Sequence, residues 1–130
     1  MRKILIAEDD FFIRDIYNKT FTLAGYEVKV SADGLDALQK AKTMQFDIIL
    51  LDIMMPLLSG LQVLRTIRAL NTPAKSTPIF MITNLGQQST IEEAFGSGMD
   101  GYIIKSQVTP QQILDEINTF FNNKAILQSN

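Results

Sequence analysis

The sequence predicts an α/β fold: a doubly wound, open five-stranded parallel sheet with five helices covering both faces. Two observations lead there. Five short apolar runs recur along the 130 residues, and the segments between them switch to a helical apolar period. Helix-capping signals also stand where the period changes.

The first run, Ile4-Leu5-Ile6-Ala7, is continuously apolar, as a parallel strand covered on both faces should be. The stripe Ile13, Ile16, Tyr17, Thr20 and Ala24 predicts the first helix, with Gly25 in the C′ position after it. Residues 26–30 alternate, which suits an edge strand with one wetter face. Leu35, Leu38 and Ala41 mark the second helix, and residues 46–51 form the third run. Leu61, Leu64 and Ile67 mark the third helix, with Ser59 and Gln62 spaced as a capping box. Residues 79–82 are the fourth run. Residues 87–95 give the weakest helical pattern, with Ile91, Ala94 and Phe95 as core contacts and Ser89 with Glu92 as cap. After the fifth run at 102–104, Thr109-Pro110-Gln111-Gln112 opens a last helix with Thr at the N-cap and Pro at N1. Its inner stripe is Ile113, Ile117, Phe120 and Phe121. One domain over residues 1–122 and a loosely held tail over 123–130 are expected.

Composition narrows the chemistry. Cysteine and histidine are both absent, which removes disulfides, thiolate nucleophiles, the usual zinc sites and imidazole acid–base catalysis. Net charge is −2 without a block of like charge, so direct nucleic-acid binding is not expected. No run of about 18 apolar residues exists, and the apolar stretch after Met1-Arg2-Lys3 is too short for a signal peptide, so a cytoplasmic location without membrane contact is expected.

In open α/β sheets the ligand site lies beyond the carboxyl ends of the strands. The first run ends in Glu8, Asp9 and Asp10, the third in Asp52, the fourth in Thr83 and the fifth in Lys105. Clustered carboxylates disfavour one another's charge unless a cation joins them. With only oxygen ligands on offer that cation is hard, and Mg²⁺ fits. Lys105 adds a point charge suited to a phosphoryl oxygen, and Thr83 adds a neutral donor. The group served is then a phosphoryl, and Asp52 is the nucleophile. Each residue alone has an ordinary explanation. A lone strand-end Asp more often caps a helix, which is the reading adopted for Asp10. Thr83 could be a loop hydroxyl, Lys105 a solvated charge and Tyr102 edge-strand packing. The four strand ends acting together carry the functional reading.

Glu8-Asp9, Leu50-Leu51-Asp52-Ile53-Met54-Met55-Pro56 with Gly60, Ile82-Thr83-Asn84, and Gly101-Tyr102-Ile103-Ile104-Lys105 stand in order along the chain. Together they resemble the bacterial response-regulator receiver family of two-component signalling, chemotaxis-switch type, over about residues 2 to 122. The resemblance implies the flavodoxin-like strand order 2-1-3-4-5. It implies that Asp52 is phosphorylated, that Asp9, Asp52 and the Met54 carbonyl ligate Mg²⁺, and that Glu8 acts through a metal-bound water. It further implies that Thr83 and Lys105 hold the phosphoryl oxygens, with Asp52 and Lys105 as the catalytic pair. Thr83 and Tyr102 would form the switch. Met54 and Asn84 fall where the family flanks the path of the attacking water. One departure is Ser106, where the family usually has Pro, often after a cis bond. A non-proline cis bond costs about 2.5–4 kcal/mol against about 0.5–1 for X–Pro, so that feature is not carried over. The helix before Tyr102 also lacks the charge pattern of receivers that dimerise through this face, so DNA-binding output through such a dimer is not expected.

The implied function is a phosphoacceptor switch of a phosphorelay, catalysing only its own phosphorylation and dephosphorylation. The implied partners are a histidine kinase or phosphotransfer protein and a downstream effector protein. The chain ends soon after the last helix, so it is read as working alone or as part of a larger regulator. Two rivals are a receiver fold used as an unphosphorylated binding module, and an enzyme or flavoprotein on the same fold. A flavin phosphate would need a Ser/Thr/Gly-rich first loop where Glu8-Asp9-Asp10-Phe11 stands. A haloacid-type phosphatase would need Asp two residues after Asp52, where Met54 stands.

Overall fold

A computed structural model describes residues 1–84 and 88–129. Strands β1 (Lys3–Ala7), β2 (Glu27–Ser31), β3 (Ile48–Asp52), β4 (Ile79–Thr83) and β5 (Gly101–Ile104) alternate with the helices. These are α1 (Phe11–Leu23), α2 (Gly34–Thr43), α3 (Gly60–Arg68), α4 (Gln88–Gly96) and α5 (Pro110–Ser129). The strands are parallel, in the order β2-β1-β3-β4-β5. This is the doubly wound sheet read from the sequence.

The apolar runs are continuous because both faces are covered. Every residue of β3 and β4 is buried. Period-two geometry sends Ile4 and Ile6 to one side, against Tyr17 and Phe21 of α1 and Ile113 and Ile117 of α5. It sends Leu5 and Ala7 to the other, against α2, α3 and α4. The wetter β2 forms one edge, and its Glu27 pairs with Lys3 at 3.2 Å.

Caps set several boundaries. Asp10 accepts from the Ile13 N–H at 3.0 Å and caps α1. Ser59 and Gln62 close a capping box on α3, and Thr109 and Gln112 exchange the same two bonds before α5. Gly25, at φ +96°, turns the chain out of α1. Four details depart from the pattern. Ile16, Leu35 and Phe95 are half exposed and Ala24 is exposed; on α1, Phe21 replaces Ala24 as the last inward residue because the buried stripe runs Tyr17 to Phe21 at i, i+4. Helix α4 begins at Gln88, so Ser89 lies inside its first turn and is not its cap. Gln87, expected as the start of that helix, lies outside the described residues, as does Asn130. The segment expected as a tail stays helical to Ser129; Lys124, Ala125, Leu127 and Gln128 all favour helix and no Gly or Pro interrupts it.

Arg68, at the end of α3, ties several segments together. Its guanidinium donates to the carbonyls of Thr77 at 2.7 Å, Gly98 at 2.9 Å and Lys75 at 3.0 Å, and to the Asp100 carboxylate at 2.9 Å. Asp100 in turn accepts from the Ile79 N–H at 2.8 Å. The amino ends of β4 and β5 are thereby fastened to α3.

Candidate functional site

The carboxyl ends of the three central strands and of β5 open into a cavity of about 320 Å³, lined by Glu8, Asp9, Asp10, Ile13, Asp52, Met54, Asn84 and Lys105. Glu8 follows β1 directly, its N–H donating to the Ser31 carbonyl at 3.0 Å. Asp52 is the last residue of β3. Both are almost fully buried, at 1% and 3% exposure.

Lys105 reaches in from the end of β5. Its ammonium donates to Glu8 Oε1 at 2.5 Å and to Asp52 Oδ2 at 2.6 Å. The second Asp52 oxygen accepts from the Met54 N–H at 3.1 Å. Carboxylate oxygens of Glu8, Asp9 and Asp52 all lie within 4.8 Å of one another. Three carboxylates therefore face one ammonium. Burial pushes the Glu8 carboxyl up; Lys105 pulls it down and Asp52 pushes it up again. Withdrawal from water and then Glu8 push the Asp9 carboxyl up. Burial works to lower the Lys105 ammonium, but its bonds to Asp52 and Glu8 outweigh that and hold it above its ordinary value.

The donor set is oxygen throughout, with Glu8 and Asp52 buried and Asp9 exposed, and its negative charge exceeds the positive charge facing it, which suits a hard divalent cation. Glu8, Asp9 and Asp52 could hold it, with the Met54 carbonyl close by in sequence. Thr83 is buried at the end of β4, one step beyond the rung that pairs Asp52 with Ile82. Tyr102 does not join this group. It is 40% exposed on the edge strand and its ring meets Phe95 of α4. The Met54 side chain is largely exposed at the rim, and Asn84 lines the cavity from the β4 side. The described residues contain no cis peptide bond, and Lys105–Gln107 form a short 3-10 turn. A larger cleft, about 460 Å³, lies at the amino ends of the strands among Lys3, Met44, Phe46 and Pro73; it gathers no comparable set of charges.

Two residues escaped the sequence reading. Arg14, one turn into α1, folds back and donates to the carbonyls of Glu8 at 2.8 Å and Asp9 at 3.3 Å. It braces the backbone of the acidic pair. Tyr17, read only as a stripe residue, lies close enough to feel the site. Burial pushes its phenol up to about 12, with Lys105 pulling it down and Glu8 and Asp52 pushing it up. Arg14 has no spacing signal, because a long side chain that folds back leaves none, and the spacing of Tyr17 announces only its place in the buried stripe.

The sequence profile of the response regulator receiver domain matches residues 4–118. The chain is 31% identical over 118 residues to the chemotaxis protein CheY of Thermotoga maritima, covering 90% of this chain and 95% of that protein. It is 33% identical over 112 residues to the transcriptional regulatory protein ResD of Bacillus subtilis, covering 86% of this chain and 45% of ResD. The chain thus spans about half the length of that relative. Among solved structures, it superposes with a TM-score of 0.81 and 27% identity on the receiver domain of the sensor histidine kinase PA1611 from Pseudomonas aeruginosa, covering 91% of this chain and 95% of that one. That domain was solved with a magnesium ion coordinated in its active site cleft.

Proposed function

The chain belongs to the response-regulator receiver family, the phosphoacceptor switches of two-component signalling, and from that premise we propose that Asp52 is the acceptor. The observation that carries this is the Lys105 ammonium bridging Glu8 and Asp52 at 2.5 and 2.6 Å in a buried crevice. An Asp52 oxygen attacks the phosphorus of the donor. The bond from phosphorus to the donor's leaving group breaks, and an acyl phosphate forms on the carboxylate. Lys105 is placed to leave the Asp52 carboxylate for a phosphoryl oxygen, retaining Glu8 as its second partner. Thr83, at the neighbouring strand end, donates to another phosphoryl oxygen.

Receivers bind Mg²⁺ at an acidic site, and here Glu8, Asp9, Asp52 and the Met54 carbonyl would hold it. When bound, the ion offsets charge on the transferring oxygens. Asp9, the most exposed of the three carboxylates, is the one open to the ion from solvent. Arg14 keeps the backbone that carries Glu8 and Asp9 in place. The phosphodonor is a histidine kinase or phosphotransfer protein, and a downstream effector protein reads the result at the edge that carries Tyr102. The chemistry is the domain's own phosphorylation and dephosphorylation, and the setting is cytoplasmic. Among the described residues no helix is long and apolar enough to cross a membrane.

Intact-mass measurement after exposure to acetyl phosphate tests the assignment. Wild type should gain one phosphoryl mass with Mg²⁺ and lose most of that gain without it. Asp52→Asn should gain none, and a phosphoryl mass on that variant would move the acceptor elsewhere. An unmodified wild type would favour the unphosphorylated binding module.

A further inference from the structure

Helix α4 meets the core through Ile91 and Ala94, while Phe95 stays 52% exposed. Its ring instead meets Tyr102 edge to face, with centroids 5.9 Å apart and planes at 89°. The backbone around Phe95 is firmly placed. The Gly98 N–H donates to the Phe95 carbonyl at 3.0 Å and the Met99 N–H to the Ala94 carbonyl at 3.1 Å. Gly98, at φ +97°, then turns the chain towards β5. The backbone of Phe95 is thus anchored, while Tyr102 lies on an edge strand with one side open.

We propose that Phe95 is a positioning residue that holds Tyr102 outward and so sets the resting balance of the switch; this rests on the reading of Tyr102 as the switch aromatic. Two effects act in the same direction. Edge-to-face aromatic pairs are favoured beyond the area they bury, enough to bias a two-state equilibrium roughly two- to tenfold. An inward Tyr102 also uncovers the Phe95 ring, which adds apolar surface to water and opposes the move. Phosphorylation has to overcome both. In the switched state the uncovered Phe95 ring becomes part of the surface offered to the effector. The residue contributes little to the core, so its removal should change the balance while leaving the fold intact.

The chain has three tyrosines and no tryptophan. Tyr17 and Tyr26 are buried at 5% and 7% exposure, against 40% for Tyr102. Fluorine NMR of 3-fluorotyrosine-labelled protein, with Tyr102 assigned by Tyr102→Phe, can follow its exposure through the H₂O/D₂O isotope shift. In unphosphorylated Phe95→Ala the expected result is a less exposed Tyr102, moved towards the phosphorylated wild-type value by a population shift of roughly two- to tenfold. Phe95→Leu should move it the same way, and Phe95→Trp, which keeps a ring edge, should leave it outward. A merely covering Phe95 predicts the opposite sign, because removing a cover exposes what lies beneath. Unchanged or increased Tyr102 exposure in Phe95→Ala, with phosphorylation still drawing Tyr102 inward, overturns the proposal alone. If phosphorylation leaves wild-type Tyr102 in place, the switch reading falls and the proposal with it.

Discussion

Met54 serves the site with two different parts. Its N–H holds Asp52 Oδ1 at 3.1 Å, while its side chain stands 62% exposed at the rim. A long, flexible, apolar side chain can lie across an acyl phosphate without orienting a water. Asn84 lines the cavity from the β4 side and can orient one. Shielding by Met54 should dominate, because the attacking water must first reach phosphorus. Met54→Asn replaces the cover with a group able to hold water, while the backbone donor to Asp52 remains. The phosphorylated variant should lose its phosphoryl group several-fold faster than wild type, followed by intact mass over time. Equal or slower loss would show that the Met54 side chain is no shield.

Helix α3 starts hard against the end of β3. A Cβ on Gly60 would sit 2.2 Å from the Asp52 carbonyl oxygen and 2.9 Å from its carbon, and both are backbone atoms that cannot step aside. The same glycine donates its N–H to the Ile53 carbonyl at 2.8 Å. Gly60→Ala should therefore push α3 off the strand that carries Asp52. The expected loss is about 1–3 kcal/mol, as for overpacked interiors, read as a lower urea midpoint with weakened Mg²⁺ binding. An unchanged midpoint would mean the helix can slide freely. The residues that end the strands were legible in the sequence, because a continuous apolar run stops where its cover stops. Helix faces were less so. Phe95 matches the helical period of Ile91 and Ala94, yet the ring turns to Tyr102, a contact that spacing along one helix cannot reveal. Leu57 adopts φ 71° and is largely exposed; nothing in its residue type announces a left-handed backbone.

For the molecule as a whole, the acidic crevice links stability to pH and to Mg²⁺. Glu8 and Asp9 are both held above their ordinary values of 4.5 and 3.8. For a carboxyl raised by folding, the stabilising contribution is full below the unfolded value and is lost as pH rises through the folded one. The metal-free protein should thus gain stability as pH falls from neutral towards about 5. Asp36, lowered chiefly by its bond to Lys40, acts the other way, but only below its ordinary 3.8. Lys105, raised above 10.5, loses its contribution only in strong alkali. Mg²⁺ held by these carboxylates would offset their repulsion as protons do in acid, and a ligand that favours the native state raises the melting temperature. The rise with millimolar Mg²⁺ should be a few degrees at neutral pH and smaller near pH about 5. A rise that is equal or larger in acid would separate the ion from these carboxylates.

The Arg68–Asp100 tie has a mechanical meaning. It pins β5 at the end away from the crevice, and β5 is an edge strand bonded along one side only. From Gly101 to Lys105 the chain advances about 13 Å at roughly 3.3 Å per residue. A tilt of about 5° at the pinned end would then swing Lys105 by about 1 Å, the scale on which an ammonium exchanges one oxygen for another. Any such tilt would turn about Asp100, where the strand is tied to Arg68 and to the Ile79 N–H. Loosening that tie would blur the placing of Lys105 without altering any residue in the crevice.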